Sequence, residues 1–198
     1  MKHCREPPQY IYGEFTTIIK SISNHISSQH ITIQLCMYYI NEEQQKNYEK
    51  SKVDETLPEE FYMDGFDTEK ELEMLHKSWH NGAICTKHDL LGRLQCFPSC
   101  CIRKRNVSDP ISWQFMSWLG QLNHTYTNPD YRRKGFATIV EQKVCQEAIQ
   151  RLNIIPFKFV VSNDEVVNAW SKKAKHWTHL ADNKDETILM GFVGILES

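Results

Sequence analysis

Residues 121–161 constrain the fold more than any other part of the chain. They read QLNHTYT, then a proline at 129, a glycine at 135, a long amphipathic stretch, and PFKFVV. Gln121–Thr127 reads as a strand, and Pro129 ends it because proline has no N–H for a sheet ladder. From about Arg133 to Arg151 the apolar residues recur at helical spacing. Phe136, Val140, Val144 and Ala148 form one stripe, with Ile139 and Leu152 beside it, and Glu141, Gln142, Gln146 and Glu147 fall on the other side. That pattern is a helix with one buried face. Residues 156–161 read as a further strand. Strands and helices alternate, so the class is α/β (α+β), with the helical stripe laid against a sheet.

The flanks extend the same alternation. Residues 31–40, ITIQLCMYYI, read as a buried strand. The polar stretch 41–55 reads as a solvated loop or helix end. IYGEFTTIIKSISNH is either a strand and turn or a short helix. A short strand is expected at Phe61–Met63, followed by a helix capped by Asp67 or Thr68 and carrying Leu72, Leu75 and Trp79. A second helix is expected over His88–Leu94. Ser99–Ile102 and Pro110–Ser117 read as strands around the basic turn RKRNVSD, whose Arg103, Lys104 and Arg105 are expected in solvent. Asp164–Ala174 reads as a helix, and HWTHLA with ETILMGFV as a closing hairpin or strand pair.

Charge is unevenly spread. Residues 41–75 carry 12 acidic and 4 basic side chains, a local sum of −8, and residues 76–198 carry 16 basic and 11 acidic, a sum of +5. A net charge of −2 argues against a nucleic-acid binder acting by bulk electrostatics, whereas the C-terminal part favours an anionic ligand. No stretch approaches the roughly 20 apolar residues of a membrane span. The N-terminal MKHCREPPQY has no long apolar run of the secretory kind. Seven cysteines are irregularly spaced with no Cys-x-x-Cys pair, which argues against a zinc ribbon. A reducing intracellular setting is expected, with cytoplasm and mitochondrion both open. His76 and His80 are four apart on a helix, near Cys85 and His88, and are read as a chance spacing with no metal. Cys96, Cys100 and Cys101 are expected to be buried strand cysteines, and Trp113, Trp118, Trp170 and Trp177 mostly core.

Arg132, Arg133 and Lys134 directly precede Gly135 at the start of the long helix. A helix N-terminus exposes unpaired N–H groups and a partial positive charge, and a residue without a Cβ lets a ligand approach the backbone. Such a loop suits a pyrophosphate. A solvated basic turn before an amphipathic helix explains the same residues.

The pattern Arg132-x-x-Gly135-x-Ala137, after a strand and opening a helix, resembles the acyl-CoA signature of the GNAT superfamily of N-acyltransferases. LQCFPSCCIRKRNVSDPISW and MSWLGQLNHTYTNPDYRRKG resemble the C-terminal domain of the glycine N-acyltransferase family. The matching residues are Phe97, Pro98, Ser99, Pro110, Ser112, Trp113, Gly120, Thr127, Pro129, Tyr131 and Arg132. HKSWHNG, with Trp79, resembles the helix before that domain. The resemblance covers residues 57–195, giving a GNAT domain at 57–198 with a mixed central sheet flanked by helices. Residues 1–56 would be a shortened remnant of the family's N-terminal half.

The resemblance implies an acyl-CoA co-substrate, no metal, and an amine acceptor such as glycine or another amino acid, with nucleic acid and membrane not expected as partners. It implies that Arg132, Arg133, Lys134, Gly135, Phe136 and Ala137 hold the pyrophosphate. Backbone N–H groups of Tyr126 and Thr127 would hold the pantetheine arm, Asn163 would touch the coenzyme, and the RKR turn at 103–105 has a contact to the coenzyme's 3′-phosphate as its lesser alternative. The coenzyme would sit where the strands Gln121–Thr127 and Phe157–Val161 splay apart. Two departures bear on catalysis. Gln121 stands where the family has a glutamate base, and glutamine takes no proton at neutral pH. His124 is the titratable alternative, but strand alternation puts 121 and 124 on opposite faces unless a bulge intervenes. The stretch AWSKKAKHW lacks the tyrosine that donates a proton to the leaving thiolate in many GNAT enzymes, leaving Ser171 or water. A coenzyme-binding protein that has lost catalysis is the alternative these departures suggest.

Overall fold

The structure is a computed structural model that describes residues 12–14, 30–50, 57–79 and 85–195. Cys4, His80 and most of residues 1–29 lie outside the described residues. The backbone divides into two compact units, one built from Ile40–Phe157 and the other from the described residues before and after it. The boundary expected at 56/57 falls inside the first of these.

The Ile40–Phe157 unit is built on a four-stranded sheet. Its strands are β3 (Phe61–Asp64), β4 (Ser99–Lys104), β5 (Ser112–Met116) and β6 (Leu122–Thr127), in that spatial order and antiparallel throughout. Helices α2 (Thr68–Ser78) and α3 (Lys87–Cys96) precede β4, and the long α4 (Phe136–Leu152) follows β6. Asp67 caps α2 by accepting from the Lys70 N–H, and Thr86 caps α3 in a reciprocal pair with Asp89. On one face of the sheet, Trp113, Phe115 and Cys101 pack with Leu75, Trp79, Cys85 and Leu90 of the helical layer. On the other face Phe61 meets Phe136, with ring centroids 4.8 Å apart, and Val140, Val144 and Ala148 are buried along the expected stripe. Each fully buried side chain of this kind contributes about 1.5–3 kcal/mol.

Three expectations need correction in this unit. The polar stretch after residue 40 is not a loop but a helix, α1 (Glu42–Lys50), whose Tyr48 is buried against α4. Gln150 Nε2 donates to the Tyr48 carbonyl at 2.7 Å. That contact explains the second correction. Glu141 and Gln146, expected on the solvent side of α4, are buried because α4 is covered on more than its sheet face. Burial, with Cys145 and Glu141 close by, pushes the Tyr48 phenol well above its ordinary pKa. Third, Arg103 is not in a solvated turn. It is buried, forks onto Glu71 at 2.6 and 3.0 Å, and gives Nε to Asp64 at 2.9 Å. It thereby ties β4 to β3 and α2. Among the cysteines, Cys100 and Cys101 are buried in β4, while Cys96 ends α3 and is exposed.

The other unit has its own sheet. Its path is β1 (Tyr12–Glu14), β9 (Leu189–Ile195), β2 (His30–Tyr39) and β7 (Phe157–Val161), and β8 (Thr178–His179) also pairs with β2. The expected hairpin of residues 176–193 is reduced to one bridge, Ala181↔Thr187. Otherwise β8 and β9 both pair along β2, opposite Tyr38–Tyr39 and His30–Cys36 respectively. Helix α5 (Glu165–Lys173) is held by Asn168, which accepts from the Tyr38 hydroxyl at 2.9 Å and donates to the Val161 and Asp164 carbonyls.

Candidate coenzyme site

Strand β6 is not regular. Its register with β5 runs Ser112↔Thr127 and Trp113↔Tyr126 at one end and Phe115↔Asn123 and Met116↔Leu122 at the other, so β6 carries one extra residue between. The extra residue is accommodated at His124, whose φ is +54°. Gln114 stabilises the bulge, donating to the Asn123 carbonyl at 2.8 Å and accepting from the Thr125 hydroxyl. A bulge resets the alternation of faces. Counted from Asn123, which stands opposite Phe115, Gln121 belongs to the Phe115 face, and the His124 ring packs on that face too. It stacks on Trp79 with centroids 5.7 Å apart and meets Trp113 and Phe115 edge-on at 5.9 and 5.0 Å. Its Nε2 lies 3.5 Å from the Ser78 hydroxyl. The geometric objection to His124 therefore falls, although the ring is buried.

Among the described residues β6 is the last strand of its sheet, with the parallel bridge Gln121↔Phe157 just before it. The Asn128 N–H bonds the Ile111 carbonyl at 2.8 Å. Alternation along an antiparallel ladder then turns the backbone of Tyr126 toward β5 and that of Thr127 toward the free edge. Of the two N–H groups expected to meet a pantetheine arm, only that of Thr127 faces outward. The Tyr126 side chain stacks on Trp113 at 4.3 Å.

Beyond β6 the loop folds back on itself. Asn128 caps a single 3-10 turn, Pro129–Tyr131, and Arg132 Nε donates to the Thr127 carbonyl at 3.0 Å. Arg133 and Gly135 both take left-handed conformations, with φ of +62° and +83°. Gly135 is the N-cap of α4, so the helix begins three residues later than expected and no side chain caps its first N–H groups. A Cβ built on Gly135 would meet nothing within 4 Å, which leaves open space over those groups. Arg132, Arg133 and Lys134 are exposed around it. Phe136, expected in the loop, is a core side chain and offers only its backbone, while Ala137 is half-buried in the first turn.

Lys104, read mainly as part of a solvated turn with a 3′-phosphate contact as the lesser alternative, stands beside this cluster. Its Nζ lies 5.9 Å from the Phe61 ring and 5.8 Å from the Tyr131 ring, and Lys134 Nζ stands 5.9 and 5.5 Å from the same two rings. Lys104 pairs with Phe61 in the β3–β4 register, and Phe61 packs on the first residue of α4. Nothing in the local sequence around 104 announces that adjacency.

Asn163 and Ser171 belong to the other unit. Asn163 is exposed, and Asp164 rather than Asn163 caps α5, accepting from the Val167 N–H at 3.0 Å. Ser171 is completely buried and its hydroxyl has no hydrogen-bond partner among the described residues. His76 is engaged by the Cys85 carbonyl at 2.6 Å. Among the described residues no three His, Cys, Asp or Glu side chains gather as metal ligands, and no helix is long and apolar enough to cross a membrane.

No known protein-family profile matches the chain. Its fold does match solved structures. An X-ray structure of a Drosophila protein superposes with a TM-score of 0.73 at 17% identity, covering 91% of this chain and 57% of that one. A putative GNAT-family acetyltransferase from Novosphingobium aromaticivorans gives 0.56 at 11% identity, over 86% of this chain and 68% of that one. A GCN5-related N-acetyltransferase from Kribbella flavida gives 0.57 at 11% identity, over 92% and 65%. The chain thus spans little more than half of the Drosophila protein and about two thirds of the other two. It has the GNAT fold.

Proposed function

We propose that this protein binds acyl-CoA at the β6–α4 loop and transfers the acyl group to an amine. The observation that carries the reading is the left-handed Gly135 at the uncapped start of α4, with open space above it and Arg132, Arg133, Lys134 and Lys104 around it, on a GNAT fold. Those residues fit a pyrophosphate: backbone N–H groups converge with the helix dipole, and the cations match its charge. Thr127 would give its outward N–H to the pantetheine arm or the thioester carbonyl.

The co-substrate supplies an activated acyl thioester. An amine nitrogen attacks its carbonyl carbon, the C–N bond forms, the C–S bond breaks, and the amine proton ends on the thiol. Holding the two reactants in line lowers the barrier by several kcal/mol, about 7–11 in the best intramolecular cases. Gln121 cannot take the amine proton. His124, on the same face by virtue of the bulge, is the titratable group we assign to that task, and glycine or another amino acid is the acceptor the motif resemblance favours. Gln121 also supports a second reading, a GNAT-fold protein that binds the coenzyme without turnover.

Thermal unfolding with and without acetyl-CoA tests the first step. A ligand at 100 times its Kd stabilises the native state by about 2.7 kcal/mol. A rise in Tm that the Arg132→Ala, Arg133→Ala, Lys134→Ala variant loses supports the site, and the absence of any rise removes both readings. Thiol release from acetyl-CoA with a panel of amines then separates enzyme from binder.

A further inference from the structure

Helix α3 buries a guanidinium. Arg93 is 6% exposed, and its Nε and Nη1 are enclosed with no hydrogen-bond partner among the described residues. Its guanidinium carbon stands 5.3 Å from the centroid of the Trp79 ring. Cation–π attraction offsets part of the lost hydration but satisfies none of the N–H groups. The position is imposed rather than chosen by a long flexible arm. At the preceding residue, Gly92, a Cβ would come within 2.9 Å of the Trp118 ring, so α3 is pressed against Trp118 and Arg93 starts from a fixed backbone. Cys85 lies close enough to feel the charge, yet burial wins and its thiol pKa is raised, so it is not a thiolate counter-ion.

A buried guanidinium with two of its three nitrogens unsatisfied among the described residues is a costly feature that a bound anion would relieve. Trp79, which the guanidinium faces, belongs to a buried apolar cluster with Leu75, Leu90, Trp113 and Phe115. One cation in an aromatic setting matches a monoanion, and the planar fork of a guanidinium matches a carboxylate. A phosphate would bring a second charge that the cluster does not answer. Trp79 also stacks on His124, so the guanidinium and the bulge of β6 contact the same tryptophan ring.

We propose that Arg93 receives a carboxylate carried by one of the two co-substrates, completing an ion pair that the protein alone leaves open. The inference rests on the acyl-CoA reading and names the chemistry of what that site accepts. The carboxylate belongs either to the acceptor or to the far end of the acyl group.

The test compares matched probes on the wild-type protein and on Arg93→Met. Glycine against glycinamide with acetyl-CoA examines the acceptor, and succinyl-CoA against butyryl-CoA examines the acyl group. One pair should favour its carboxylate member in wild type, with the preference falling roughly ten- to hundredfold in Arg93→Met. Arg93→Met should also melt no lower than wild type without ligand, since it removes a buried charge with two nitrogens unsatisfied among the described residues. Equal responses to both members of both pairs would overturn the inference, as would a preference unchanged in Arg93→Met or a variant that melts markedly lower. Stabilisation of wild type by acetyl-CoA is read in the same experiment. If it is present and the pairs are equal, the carboxylate site fails alone. If it is absent the parent reading fails, and the carboxylate assignment that rests on it is overturned with it.

Discussion

At the scale of single residues, two glycines do different work in the same conformation. Gly120 and Gly135 have φ of +79° and +83°. A Cβ at Gly120 would come within 2.9 Å of Ile154 Cγ2, whereas at Gly135 it would meet nothing. Gly135→Ala should therefore cost only the left-handed backbone penalty, about 1–2 kcal/mol. Gly120→Ala should cost more, because Ile154 must shift as well. Urea unfolding of the two variants gives the order, and equal losses would mean that Ile154 yields freely. Function should invert the ranking: Gly135→Ala places a methyl group over the first N–H groups of α4, so it should weaken acetyl-CoA binding while Gly120→Ala should not. The sequence offered Gly135 as a ligand approach point because it lacks a Cβ, and the space where that Cβ would stand is open. That it also needs a positive φ was not legible, because a sequence does not show which residue ends a turn. His124 was harder still. Its face depends on one extra residue in β6, and a bulge leaves no composition signal when the left-handed position is held by histidine rather than glycine.

At the scale of elements, most helices and strands were readable because their apolar spacing and caps agree. Asp67 and Thr86 sit where capping chemistry predicts, and the stripe of α4 is buried as its period requires. What failed was tertiary in origin. α1 has one buried side chain, Tyr48, in nine residues, so its sequence looks like a solvated loop. Its packing on α4 in turn buries Glu141 and Gln146, which the helical period alone assigns to water. Arg103 failed in the same way, since its partners Asp64 and Glu71 come from elements 32 to 39 residues away. Arg103 and Glu71 are only 8% and 11% exposed at the side chain. Glu71→Ala should thus leave a buried cation short of its main partner and cost about 3–5 kcal/mol in urea unfolding. The loss should persist in 1 M NaCl, where exposed pairs are screened. A loss below about 1 kcal/mol would mean that Asp64 and the Gly65 and Ser108 carbonyls, which also accept from Arg103, suffice. The exposed pairs behave differently. Lys70 lowers the pKa of Asp67, and Lys87 and Lys77 lower that of Glu73. A depressed carboxylate stabilises the fold above its unfolded pKa, near 3.8 for Asp67 and 4.5 for Glu73. That contribution disappears as pH falls through the lower folded values. The small contribution of Glu73 should therefore fade as pH drops below 4.5 and be reduced by Lys87→Ala, as urea unfolding across that range would show.

At the scale of the whole molecule, the charge of −8 over residues 41–75 and of +5 over residues 76–198 is the feature that composition alone made visible. Part of the acidic stretch is absorbed structurally, because Asp64, Asp67, Glu71 and Glu73 are each paired with a cation. The basic excess is not absorbed in the same way at the β6–α4 loop, where Arg132, Arg133 and Lys134 remain exposed and Lys104 joins them from β4. Lys104 is shared with Glu60, 3.3 Å away, so its contribution is partial. If this cluster holds a pyrophosphate, the affinity for acetyl-CoA must depend on ionic strength. The Debye length contracts from about 10 Å at 0.1 M salt to about 3 Å at 1 M. Titration calorimetry should show Kd rising about tenfold or more across that range. The Arg132→Ala, Arg133→Ala, Lys134→Ala variant should bind weakly and with a much flatter salt dependence, and Lys104→Ala should fall between the two. A steep salt dependence that survives in the triple variant would place the anion elsewhere, and the uncapped turn at Gly135 would then be a feature of the fold rather than of its ligand.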